Sequence, residues 1–323
     1  MAFVRTMRGD ISPQEMGFTY SHEHIVCVPA YWKERGQDDL LLDDPEKSLA
    51  EVMAAKKAGV DTIVDATAID YGRHPQAVYD ISVKTGMHII ATAGFNKGFL
   101  WDAKMPGQEC TYRQWIDGAS VEELTRFIIG EVEVGMQGTD IRGGQVKFGT
   151  GYNSITPLEI KTIRAACRAH LATGAPIHAH TEAGTMALEQ IRYLKEEGVE
   201  LSRVSFGHMD RNPDTYYHLK IAETGAFLCF DGIAKVKYNP ESTRIKCILE
   251  LARRGHQKQI LVSGDTARKS YYHSYTWALG LPYIKEQWMG RLVEEAGQWG
   301  LDGEKLAEDI FINNPRQCFS FNR

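Results

Sequence analysis

Thr19-Tyr20-Ser21-His22-Glu23-His24-Ile25-Val26 is a short run with polar and apolar positions interleaved, ending on β-branched residues. Read as a strand, its side chains alternate between two faces, so His22 and His24 share one face and Glu23 takes the other. Seven more runs of strand length follow, at Thr62–Ala68, His88–Ala93, Gly144–Phe148, Pro176–His180, Val204–His208, Ala226–Phe230 and Ile260–Ser263. Between them lie stretches of helical period. Pro45–Ala58 is one, with Leu49, Val52 and Met53 at helical spacing. Thr156-Pro157-Leu158-Glu159 reads as a capping box with proline in the first helical position, and Asn239-Pro240-Glu241 predicts a second start of the same kind. Eight strands alternating with helices imply a parallel sheet, and eight such units close into a (β/α)8 barrel. A doubly wound open sheet would carry a glycine-rich phosphate loop after an early strand, and the sequence has none. No linker, low-complexity tract or repeat divides the chain, so residues 1–323 read as a single α/β domain.

Composition narrows the function classes. A net charge of −5, with Lys and Arg scattered among acids, leaves no basic footprint for nucleic acid. No apolar run reaches the roughly 20 residues of a membrane-spanning helix. Met1 to Asp10 carries charges and a glycine where a signal peptide would carry its apolar stretch. Cys27, Cys110, Cys167, Cys229, Cys247 and Cys318 show no paired spacing, which fits reduced thiols and a cytoplasmic location.

Chemistry collects at one end of the predicted strands. Two imidazoles about 7 Å apart along a strand can chelate a metal, although His22-x-His24 alone reads equally well as two core histidines. His180 ends the fifth predicted strand, His208 ends the sixth, and Asp265 lies just past the eighth. Lys147 stands in the apolar fourth strand, where an isolated ammonium is expensive to bury without an acceptor or a covalent change. A structural role explains one such residue; it explains the whole set poorly. His178 shares the strand face of His180 two residues deeper, and reads as an interior histidine with Asp65 or Asp231 as candidate partners.

The set His22-x-His24, Lys147, His180, His208 and Asp265, together with the opening Arg8-Gly9-Asp10, Tyr20–His24 and the closing Asn314-Pro315, resembles the phosphotriesterase family of the amidohydrolase superfamily. Within that family the resemblance is nearest to the phosphotriesterase-like lactonases, and it runs along nearly the whole chain. It implies a binuclear metal centre at the C-terminal ends of the strands. His22, His24 and Asp265 would hold the buried metal, and His180 and His208 the more exposed one. Lys147 would bridge both as a carbamate formed from carbon dioxide. Zinc suits this donor set, and cobalt or manganese also fit it. The implied reaction is hydrolysis by a hydroxide bridging the metals, with Asp265 taking its proton. The resemblance also implies a homodimer, for which the sequence offers no self-evident interface patch.

Departures from the family pattern bear on substrate. After the third strand the quorum-sensing lactonases of the group carry a run of tyrosines, where this chain has Phe95-Asn96-Lys97. After the eighth strand, those relatives line an apolar channel, where this chain has Thr266-Ala267-Arg268-Lys269-Ser270-Tyr271-Tyr272; the seventh loop adds Lys235 and Lys237. Each cation alone reads as a solubilising residue. Gathered over one mouth of a barrel they predict a small anionic substrate, a phosphorylated sugar lactone, whose phosphate is held by Arg268, Lys237 and Tyr271, with Asn96 and Lys97 as further substrate contacts. The alternatives are a carboxylesterase or organophosphate triesterase with the same metal chemistry and, from a different class, a catalytically silent binding barrel.

Overall fold

The computed structural model describes residues 2–33 and 35–321; Met1, Glu34, Asn322 and Arg323, which fall within the expected domain bounds 1–323, lie outside the described residues. Strands are numbered along the chain: β1 (Val4–Thr6), β2 (Gly9–Ile11), β3 (Thr19–Glu23), β4 (Thr62–Asp65), β5 (His88–Ile90), β6 (Thr92–Gly94), β7 (Gln145–Thr150), β8 (Ile177–Thr181), β9 (Val204–Phe206), β10 (Phe227–Phe230) and β11 (Ile260–Val262). β3-β4-β5 and β6 through β11 form two sheets in which every strand runs parallel to its sequence neighbour. The chain is an α/β protein with parallel sheets, and each of the eight predicted runs carries strand.

The third run, expected as one strand, is split at Ala91. Its carbonyl accepts from Gly144 N–H at 2.8 Å and Gln145 N–H at 3.2 Å, so the two sheets stay linked there. At the far side Asp265 N–H donates to His22 O at 2.9 Å. Glu23, fully buried, reinforces this seam. Its Oε1 accepts from Ser263 Oγ at 2.7 Å and Gly264 N–H at 2.6 Å, and its Oε2 from Thr266 N–H at 2.8 Å. The glutamate flanked by two histidines thus points away from them, and it anchors the loop that carries Asp265.

Helices fill the connections and cover the strands with an apolar face. Pro45–Lys57 starts at Asp44, whose carboxylate accepts from Glu46 and Lys47 N–H, and it buries Val52 and Ala55. Pro157–Thr173 has the expected capping box of Thr156 and Glu159. The helix Glu241–Arg253 differs from expectation: Pro240 stands at the cap rather than in the first turn, and Asn239 Nδ2 donates to Asp210 O at 3.0 Å. The hairpin β1–β2, not foreseen in the sequence, pairs Val4 with Ile11, and Met7 N–H donates to Ile89 O at 2.8 Å. Among the described residues no helix is long and apolar enough to cross a membrane, and all the cysteines are free thiols.

Beneath the loops that follow β9 and β10 lies a buried ionic knot. Arg244, fully buried, donates from Nε to Asp210 Oδ2 at 2.8 Å, from Nη1 to Glu241 Oε1 at 2.9 Å and from Nη2 to Lys235 O at 2.7 Å. Removing one member of a buried set strands the other charges, at a cost of about 3–5 kcal/mol. Arg244→Met is therefore expected to lower unfolding stability by that amount, read as a shift in the urea midpoint. A shift near zero would mean that water reaches the knot.

Candidate metal centre

Parallel strands put the side chains at their C-terminal ends on one rim, and the register sets their depth. Lys147 pairs with His178, and Gly149 with His180, so His180 sits one step above Lys147. His22, His24, Lys147, His180, His208 and Asp265 all line one polar cavity of about 220 Å³ at this rim, and all are buried. A second, more apolar cavity of about 210 Å³ lies behind Lys235 and Tyr271 and contains none of these six residues.

The imidazoles converge by specific nitrogens. His22 Nε2 lies 3.6 Å and His24 Nε2 3.5 Å from Asp265 Oδ1. His180 Nδ1 lies 2.9 Å from His208 Nε2. Each opposite ring nitrogen has a partner. His208 Nδ1 donates to Asp231 Oδ1 at 2.8 Å, and His22 Nδ1 lies 3.1 Å from Asp231 Oδ2. His24 Nδ1 donates to Thr67 Oγ1 at 2.8 Å, and that hydroxyl passes its own proton on to Asp65. His180 Nε2 lies 3.1 Å from Glu182 Oε2. An acceptor on the outer nitrogen fixes the tautomer that leaves the inner lone pair free, which is the arrangement metal-bound histidines need.

Electrostatics favour the same state. Burial pushes the His24 imidazolium down to about 3 and, with Arg211 beside it, His208 to about 4; burial and Lys97 hold His180 well below the usual range. These rings are neutral donors at neutral pH. Burial would raise the Asp265 carboxyl, but the groups around it, Lys235 foremost, outweigh it and hold it well below the usual range, so it is a carboxylate. Burial brings the Lys147 ammonium down to about 8, and among the described residues its one hydrogen bond is to Ala66 O at 2.7 Å. His22, His24 and Asp265 form one group able to hold a metal, and His208, Asp231 and Asp265 form another. His208 and Asp265 have φ of 63° and 44°, left-handed values uncommon outside glycine, and such conformations gather where function fixes geometry. The donor set fits divalent metal ions.

A model of the phosphotriesterase family matches residues 2–319. The chain belongs to the phosphotriesterase family. It is 33% identical over 339 aligned positions to a phospho-furanose lactonase of Mycoplasmopsis synoviae (strain 53), covering 99% of this chain and 92% of the relative. The crystal structure of the lactonase Lmo2620 from Listeria monocytogenes matches with a TM-score of 0.97 at 58% identity, covering 99% of this chain and 100% of that one. The phosphotriesterase homology protein from Escherichia coli, complexed with phosphate in its active site, matches with a TM-score of 0.86 at 30% identity, over 94% of this chain and 99% of that one.

In this phosphotriesterase-family site, the residues expected to meet substrate divide into two kinds. Asn96, Lys97, Arg268 and Tyr271 line the cavity. Lys237 is exposed and is not among the lining residues; its Nζ lies 5.1 Å from the Tyr271 ring centre. Lys235 holds the inward position instead, 4% exposed, and donates to Asp265 Oδ2 at 2.7 Å. Arg211 Nη2 donates to the same oxygen at 2.8 Å. Sequence reasoning missed Arg211 and Glu182. Arg211 follows His208 by three residues, as Arg268 follows Asp265, and Glu182 follows His180 by two. His178 bonds to Ser205 Oγ at 2.8 Å and His22 Nδ1 at 2.9 Å rather than to Asp65 or Asp231.

Proposed function

We propose that this chain is a binuclear-metal lactonase that opens a small phosphorylated sugar lactone, built as one domain in which the two parallel sheets close into an eight-stranded barrel. The observation that carries the reading is that one cavity joins the imidazole and carboxylate donors to Arg268, Lys235 and Tyr271. The phospho-furanose lactonase relatives and the phosphate held by the Escherichia coli relative support it.

His22, His24 and Asp265 would hold one metal, His180 and His208 the other, and Lys147 both. Lys147 Nζ, as the free amine, adds to carbon dioxide, forming an N–C bond and releasing one proton; the carbamate oxygens are then hard ligands. Zinc suits the set, with cobalt or manganese as substitutes. When bound, such a pair supplies Lewis acidity and a water-derived nucleophile near neutral pH. Asp265 turns Oδ1 to the histidines while Arg211 and Lys235 hold Oδ2, so the carboxylate is fixed in plane. Asp265 takes the proton from the attacking water and passes it to the departing ring oxygen. Arg268 and Tyr271 bind the phosphate at the mouth, and Lys237 adds positive charge beyond Tyr271.

Arg268 is partly buried and among the described residues carries only a long, 3.5 Å ion pair to Asp39, so its guanidinium is available to an anion. Charge-assisted bonds contribute about 1.5–3 kcal/mol each. Arg268→Met should therefore cost roughly tenfold to over a hundredfold in kcat/KM on a five-carbon lactone phosphate and little on the unphosphorylated lactone. Equal losses on both, or a wild type indifferent to phosphate, would reject the phosphate site and leave a broad esterase.

A further inference from the structure

In the cavity that Arg268 and Tyr271 line, the loop after β6 offers a different kind of group. Asn96 is 4% exposed and lines the cavity, and its Oδ1 has no hydrogen-bond partner among the described residues. The loop beneath it is firmly held. Asn96 N–H donates to Asp70 Oδ1 at 2.8 Å and Oδ2 at 2.9 Å, and Trp101 Nε1 donates to the same carboxylate at 2.7 Å. Phe95 N–H donates to Lys147 O at 3.0 Å, and a Cβ added at Gly149 would meet Asn96 O at 2.6 Å, so the loop lies directly on β7. The backbone that carries Asn96 is therefore set in place before any ligand arrives, and a buried acceptor without a partner asks for a donor.

The cation that follows it in the chain is committed elsewhere. Lys97 Nζ is paired with Glu182. A cationic ligand group is disfavoured as well, because Lys97, Arg211, Lys235 and Arg268 line the same cavity. What remains is a neutral donor on an anionic molecule, and for a sugar lactone that is a ring hydroxyl.

We propose that Asn96 Oδ1 accepts a hydrogen bond from a ring hydroxyl of the substrate, so that the site selects a hydroxylated lactone over its deoxy analogue. The inference rests on the lactone reading above and adds to it the group that reads the sugar ring. A ligand hydroxyl gives the oxygen the partner it lacks, and a hydrogen at the same carbon does not. Sites built to bond a hydroxyl reject the analogue lacking it, because the buried acceptor is left unpaired.

The test measures kcat/KM for the wild type on a five-carbon 1,4-lactone 5-phosphate and on its 2-deoxy and 3-deoxy forms. One deoxy form should be worse by roughly ten- to a hundredfold, the scale of an unpaired buried acceptor. Asn96→Ala should cost the hydroxylated substrate a similar factor and leave that deoxy form within about threefold. The wild-type comparison carries the test even if the variant fails to fold. If both deoxy forms match the parent, or the variant penalises all three substrates alike, Asn96 does not read a hydroxyl although the lactone assignment stands. If the wild type opens none of the three, the lactone assignment itself fails and takes this inference with it.

Discussion

Lys147→Ala is expected to lose bound metal and lactone turnover together. Lys147 is 1% exposed among the candidate ligands, and burial lowers its ammonium to about 8, which brings the free amine within reach near neutral pH. No other side chain is assigned to bridge the His22–His24–Asp265 and His180–His208 halves of the centre. Outer-sphere partners of metal ligands are worth roughly 10–100-fold in metal affinity, so removing the side chain proposed to bridge both metals should exceed about 100-fold. Elemental analysis of the folded variant should show a clear deficit of metal, with turnover lost in parallel. A variant that keeps both its metal and its turnover would remove the carbamate from the account.

Asp265→Asn should cut turnover by at least roughly 100-fold, the usual scale for lost acid–base help. The geometry leaves the amide no good orientation. With its NH2 in the Oδ2 position it faces the Lys235 and Arg211 donors, now 2.7 and 2.8 Å from Oδ2. Turned over, it presents NH2 to His22 Nε2 and His24 Nε2, where an oxygen is needed. Near-normal turnover with metal still bound would take the proton transfer away from Asp265.

Much of the architecture was legible because strand-length runs and capping residues carry local signals. The runs Thr19–Val26, Pro176–His180 and Val204–His208 each carry a parallel strand, with His24 and His208 just past the strand ends, and Thr156 caps its helix as the spacing requires. The hairpin β1–β2 was not legible, since three residues per strand are too few for an alternation to register. The split at Ala91 leaves no mark in the apolar run His88–Ala93. In the site, residues on strand ends could be assigned to a face by counting. Loop residues could not, because their direction depends on backbone turns. Ala234, with φ of 69°, redirects the chain just before Lys235, and Lys235 rather than Lys237 reaches Asp265. Asp231 was considered only as a partner for His178; its hold on both His22 and His208 depends on strands distant in sequence.

The central claim, that these ligands form a two-metal hydrolytic centre, is tested most directly by metal stoichiometry measured alongside lactone opening. Protein produced with added zinc should contain about two metal ions per chain, lose lactone phosphate hydrolysis as a chelator removes them, and regain it as they are restored. A metal-free protein that remains fully active would contradict the account.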